Sequence, residues 1–234
     1  MLNFQPWSEL LNQYVDSQGL VDYRAWKTQS SQKLTNWLQE LSQIDLEQLS
    51  DPKQQLAFWL NLYNALVIAQ VLKNYPIKSI LPKFLGITNW LAFLAFFSRP
   101  VYSIGQRRYS LNDIEHNILR RQFSTPCIHF ALVCASVGCP LLRNEAYRPE
   151  HLNTQLDEDA QRFICNFSKV SYNTEEQILY CSKIFKWYKQ DFLKVSPSIP
   201  EYIQTYLSLE VPLNASSPIK YLDYDWSLNQ RISS

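Results

Sequence analysis

The sequence predicts an α+β fold in which helices pack around a small, mostly antiparallel sheet. Two observations predict it. Several segments carry helix caps and one-sided apolar stripes. The extended segments are few, short and mostly paired as hairpins. Glycine is scarce: only Gly19, Gly86, Gly105 and Gly138 occur in 234 residues. No GxGxxG, GxxxxGK[ST] or GxSxG is present, which excludes a Rossmann fingerprint, a P-loop and a nucleophile elbow. Hydrophobic residues make up 46% and charged residues 18%, a composition that folds rather than stays disordered. One domain is expected over 1–234, with a core at about 20–195 and a short helix plus coil at 196–234.

The elements follow in order. Ser8 to about Ser17 reads as a short helix that stops near Gly19, and Val21–Trp26 as an extended segment. Ser31–Gln43 reads as a helix with Leu34, Trp37, Leu38 and Leu41 on one face. Asp51 suits an N-cap, Pro52 the first helical position, and Gln54 the return leg of a capping box. They predict a helix over Pro52–Tyr75 that ends before Pro76. It is apolar nearly all round, hence central. Phe84–Phe97 is too short to span a bilayer. Its part Trp90–Phe97 (WLAFLAFF) reads as core, with a membrane-contacting or substrate-lining lip as the alternative. Val101–Ile104 and Tyr109 flank Gly105 as a small hairpin or extended turn. Ser110 and Asp113 form a capping box for a helix over Leu111–Arg121. Ile128–Ala135 predicts an interior strand. Pro149 opens a helix with Leu152, Leu156, Ala160, Phe163 and Phe167 on one stripe. Lys169–Tyr172 and Gln177–Cys181 read as a hairpin. Ser182 caps a helix through Leu193. A short helix is expected near Tyr202–Leu207, and the tail YLDYDWSLN is expected to be mostly coil.

Lys plus Arg is 22 and Asp plus Glu is 21, a net charge of +1. No basic field exists to attract nucleic acid. Arg107–Arg108 and Arg120–Arg121 read as a solvated rim. The N-terminal segment has neither the basic nor the apolar region of a signal peptide. Five cysteines stand at 127, 134, 139, 165 and 181. An odd count without a secretion signal argues for reduced thiols and a cytoplasmic setting. No CxxC pair occurs, so a zinc ribbon or thioredoxin motif is excluded.

Chemistry concentrates in two places. On the helix Leu111–Arg121, steps of 100° put Glu115 inside the apolar arc marked by Ile114, Ile118 and Leu111. His116 falls at its margin. A buried carboxylate needs a partner or a raised pKa. The second place is the run HFALVCASVGCP. On a strand, His129 and Cys134 would face opposite ways. Cys139 follows Gly138 and precedes Pro140, as at a turn into a helix. The helix dipole and Arg143 would then lower its pKa, which makes Cys139 the better nucleophile on physical grounds. Asn61 and Asn64 share a face of the central helix. They serve as structural struts or as oxyanion donors. His151 is expected to be solvated. In so glycine-poor a chain, Gly138 marks a turn that presents the thiol, so Gly138→Val should damage the loop more than Gly86→Val.

Five stretches carry a resemblance: VDYRAW at Val21–Trp26, FWLNLYNAL at Phe58–Leu66, YSLNDIEHNILR at Tyr109–Arg120, IHFALVCASVGCPLLRNEAY at Ile128–Tyr147, and SKIFKWYKQDF at Ser182–Phe192. In this order they resemble the domain-of-unknown-function family 547, which occurs in bacteria and, joined to leucine-zipper segments, in plants. The resemblance carries over Glu115–His116, His129, Cys134, Cys139–Pro140 and the pair Asn61 and Asn64. Cys127 and Cys181 depart from the family's usual Arg and Leu and, with Cys165, are incidental. Plant relatives have Ser at the second cysteine, which favours Cys134. The nucleophile thus stays split between Cys134 and Cys139.

The leading expectation is a thiol-dependent enzyme, a cysteine hydrolase or acyl transferase of the papain-like or transglutaminase-like kind. A cysteine attacks an amide, ester or thioester, His116 or His129 acts as base, and Glu115 orients an imidazole, most feasibly His129. Arg143 would help bind substrate. No cofactor is implied. The partner is a small molecule or peptide, or a small thiol held as a mixed disulfide. The alternatives are a zinc site of His129, Cys134, Cys139 and His116, and a non-catalytic scaffold.

Overall fold

The computed structural model describes residues 2–84, 87–207 and 213–231. Three helices open the chain: α1 (Gln5–Tyr14), α2 (Tyr23–Gln29) and α3 (Ser31–Ser42). α1 buries Trp7, Leu10, Leu11 and Tyr14, the spacing of one helical face. Trp7 packs against Trp26 of α2 and stacks on Trp37 of α3, with centroids 5.8 and 5.6 Å apart. α2 replaces the extended segment expected at Val21–Trp26. The reason is Asp22, whose side chain accepts the Ala25 N–H at 2.9 Å and caps the helix.

A 3₁₀ turn at Leu46–Gln48 leads into α4 (Pro52–Asn74), capped by Asp51 as expected. Its side chains are buried on every face between Leu56 and Ile68. Among the described residues, α4 is the one helix long and apolar enough to cross a membrane, yet 83% of its most apolar window is buried inside the fold. It serves as the core helix against which α2, α3 and the later elements pack.

The two-residue strands β1 (Lys83–Phe84) and β2 (Ile87–Thr88) pair antiparallel. Gly86, named above as a reference position, lies outside the described residues. α5 (Trp90–Ser98) follows, capped by Asn89. This is the run expected to be core, and none of its residues is fully buried. The hairpin β3 (Tyr102–Ile104) and β4 (Arg107–Tyr109) turns at Gly105, where φ is +56°.

Ser110 and Asp113 close the expected capping box, each accepting the other's backbone N–H at 3.0 Å. The helix behind it, however, is π-wound over Asp113–Leu119 and becomes α6 at Arg120–Gln122. The interior strand expected at Ile128–Ala135 does not form. Residues Ile128–Ala131 make one helical turn, α7, and 132–134 run extended without a ladder partner. A short apolar run is compatible with a buried helical turn as well as a strand, so periodicity cannot decide between them. The opposite-face argument for His129 and Cys134 falls with the strand.

α8 (Leu152–Ile164) buries Leu152, Leu156, Ala160 and Phe163, but Phe167 lies beyond it and is exposed. β5 (Val170–Asn173) and β6 (Ile178–Cys181) form the expected hairpin. Two single turns, α9 (Ile184–Trp187) and α10 (Lys189–Phe192), replace the continuous helix after Ser182 and meet at Tyr188. α11 (Ile199–Gln204) precedes β7 (Ile219–Tyr221), which adds parallel to β6. The fold is α+β, but among the described residues the strands form three small sheets rather than one.

The tail is mostly coil, as expected. It is sewn across the fold by isolated bridges Val21–Gln230, Ser79–Ser227 and Ser136–Leu228. This carries Tyr224 and Trp226 onto the loop of Cys134–Cys139.

Candidate active site

A cleft of about 390 Å³ collects Glu115, His116, His129, Cys134 and Cys139 in one place. Tyr63 from α4, Tyr188 and Trp187 from the α9–α10 region, and Tyr224 and Trp226 from the tail complete its floor and wall. Trp90, Phe93, Leu94 and Phe97 of α5 form one lip.

Glu115 is buried and satisfied by two phenols. Tyr188 donates to Oε1 at 2.5 Å and Tyr63 to Oε2 at 3.1 Å. Burial, then the Glu115 charge, pushes both phenols well above their usual range, so they remain donors. The π turn matters here. Its i→i+5 bonds widen the helix, and such turns are frequent at functional sites. His116 Nδ1 lies 3.9 Å from Glu115 Oε1, though the two are sequence neighbours. Arg120 donates to the same nitrogen at 3.0 Å, which leaves Nε2 as the ring's donor.

His129 does not pair with Glu115. Its Nε2 donates to Asp191 Oδ2 at 2.9 Å, and its ring stacks on Tyr188 with centroids 3.8 Å apart. Burial holds its pKa below the usual histidine value. The hydrogen bond from His129, then those from Arg120 and Lys194, hold the Asp191 carboxyl far below the usual range.

Cys134 and Cys139 are joined as a disulfide, with Cα atoms 6.1 Å apart. The expectation of reduced thiols is overturned for this pair, because the loop folds both sulfurs together; Cys127, Cys165 and Cys181 are free. Cys139 is 4% exposed, and Cys134 is the more open of the two. Cys139 Sγ accepts the Cys134 N–H at 2.8 Å and the Tyr224 O–H at 3.2 Å. Cys134 Sγ lies 3.3 Å from Tyr224 Oη and 3.1 Å from Ser136 Oγ. Neither sulfur is hydrogen-bonded to an imidazole among the described residues.

The loop is held by glycine and strain. Ala135 takes φ +61°, the left-handed region. Gly138 does not; a Cβ there would sit 2.8 Å from Asp225 O and from the Tyr224 ring. Its role is close approach of the tail, not the turn geometry expected.

Three nominated residues lie elsewhere. Asn61 spends its amide on the Tyr147 backbone, at 2.8 and 2.9 Å. Asn64 bridges Ala131 O and the Val133 N–H, at 2.9 and 3.0 Å, and so braces the segment leading into Cys134. Both are struts that hold backbone groups, and neither lines the cleft. Arg143 is clamped by Asp159, Glu145 and Glu158 and does not line the cleft. No helix follows Cys139 to lower its pKa, since residues 140–143 are irregular. No metal-holding group of three His, Cys, Asp or Glu exists among the described residues, because His129 is turned onto Asp191.

A family model described as "Protein of unknown function, DUF547" matches residues 46–164, just over half of the chain. The chain belongs to this family. Comparison with curated proteins and with solved structures finds no match. The DUF547 span contains Tyr63, Glu115, His116, His129 and both cleft cysteines. Tyr188, Asp191, Tyr224 and Trp226 lie beyond it. Sequence reasoning missed these four and Tyr63 as site residues. The aromatic density of IFKWYKQDF and YLDYDW was the available signal, and it read as core and coil.

Proposed function

We propose that the protein is a thiol-dependent enzyme whose reactive group is the Cys134–Cys139 pair, exchanging disulfides with an apolar or aromatic thiol substrate. One observation carries the reading: the two sulfurs sit in the aromatic cleft with unequal surroundings. Cys134 is open to attack. Cys139 is buried and already receives two hydrogen bonds, from the Cys134 N–H and the Tyr224 O–H.

A substrate thiolate attacks Cys134 Sγ. The Cys134–Cys139 bond breaks, its electron pair leaves on Cys139 Sγ, and a substrate–Cys134 mixed disulfide forms. Donors aimed at Cys139 stabilise that thiolate, and a stabilised leaving thiolate departs faster. A second substrate thiolate attacks the substrate sulfur, releasing a substrate disulfide and a Cys134 thiolate. Two electrons pass from two substrate thiols to the protein, and protonation gives the dithiol. The reverse sequence reduces a substrate disulfide. Aromatic walls supply the binding surface and exclude water.

Acyl transfer of the papain-like or transglutaminase-like kind is the second reading. It is favoured by the convergence of Cys134 with Glu115 and two imidazoles once the pair is reduced.

The test is redox titration against glutathione with each cysteine mapped by mass. Cys134 and Cys139 should interconvert together between dithiol and disulfide, while exposed Cys165 stays independent. If both remain free thiols across the titration, the exchange reading fails.

A further inference from the structure

The mouth of the cleft is oily on the outside. Leu91 is 81% exposed, Trp90 and Leu94 each 54%, and Ile87, just before α5, 75%. A folded chain with a large core does not leave four such side chains together in water without a use. The inward side of α5 is anchored, since Phe93, Phe96 and Phe97 pack on the core. The outward residues are therefore presented by a fixed helix.

The charge beside the end of α5 is mainly positive, with Asp113 close to Arg107 as a counter-charge. Three arginines, Arg99, Arg107 and Arg108, follow α5 within ten residues of its end. The whole protein carries only +1. Arg99, Arg107 and Arg108 are exposed, and Arg108 donates to Pro100 O at 2.9 Å, which holds it beside the end of α5.

We infer that α5 and these arginines form a docking face for an anionic lipid bilayer, with the cleft mouth turned to the membrane. Apolar residues and Trp insert at the headgroup level, and the cations meet the lipid charge. Trp90 and Leu94 belong both to this face and to the cleft lining, so a hydrophobic substrate passes from bilayer to cleft without crossing water. The inference stands independently of the thiol chemistry.

The experiment is flotation of the full chain with phosphatidylcholine vesicles, with and without phosphatidylglycerol. Wild type should float with the anionic vesicles, less so as salt rises. Leu91→Glu with Leu94→Glu should reduce binding on the order of tenfold or more. Arg99→Gln with Arg107→Gln should weaken it on anionic vesicles by roughly tenfold. Both double variants change exposed side chains, so circular dichroism and melting should match wild type. Failure of wild type to float with either vesicle overturns the inference. So does equal binding by the glutamate variant. A vesicle-free wild-type dimer that the glutamate pair converts to monomer also overturns it, by assigning the face to a second copy.

Discussion

At the scale of single residues, Glu115 is the buried carboxylate that accepts from both Tyr63 and Tyr188. Replacing it with alanine strands two buried phenols, Tyr63 and Tyr188. Each unpaired buried donor costs about 1–3 kcal/mol, so Glu115→Ala should lose about 2–6 kcal/mol in urea unfolding. Glu115→Gln, which still accepts a hydrogen bond, should lose less. His129 and Asp191 make a pH prediction. His129 is held neutral in the fold and takes a proton when unfolded, so stability falls as pH drops below about 6.5, the ordinary histidine value. Asp191 is held ionised, so its contribution is present above about 4 and is lost as pH falls below that value. Melting temperature should decline from pH 7 to pH 5, and His129→Gln should flatten that decline. That Glu115 points inward was legible from Ile114, Ile118 and Leu111 on its own helix. Its partners were not, because Tyr63 and Tyr188 are 52 and 73 positions away. The same holds for His129: its carboxylate comes from α10, 62 positions on, not from the nearer Glu115.

At the scale of elements, the loop carrying both sulfurs is set by two braces. Asn64 fixes the strand-like segment before Cys134, and Gly138 admits the tail beside Cys139. Gly138→Val should displace Tyr224 and cost about 1–3 kcal/mol through overpacking, read by thermal melting. Asn64→Ala should cost a similar amount, because it orphans the buried Val133 N–H and leaves Ala131 O only the longer bond from Tyr147. Caps made α4 and the start of the Asp113 helix legible, since Asp51, Pro52, Ser110 and Asp113 act locally. The π winding of Asp113–Leu119 left no such trace. The strand expected at Ile128–Ala135 failed for the opposite reason. Its residues are apolar enough for any buried conformation, and the Asn64 clamp that decides the backbone path lies on another element. The exposure of α5 was equally illegible, because composition marks a residue as apolar without saying which surface it meets.

At the scale of the molecule, the tail closes the site. Read alone, YLDYDWSLN is coil. In the fold it bridges to Val21, Ser79 and Ser136 and supplies the phenol that contacts both sulfurs. Truncation after Leu222 should lower the melting temperature and raise the alkylation rate of reduced Cys139, as the cover from Tyr224 and Asp225 is removed. The unequal exposure of the two sulfurs leads to the most direct measurement, which is to trap the exchange with a single cysteine left in the cleft. Cys139→Ser and Cys134→Ser are each treated with glutathione disulfide and mapped by mass, with Cys165 as the internal reference. Cys134 in the first variant should form the mixed disulfide faster than Cys165, and Cys139 in the second should form it far more slowly. Equal rates at the two positions, or no exchange at Cys134, would contradict the account.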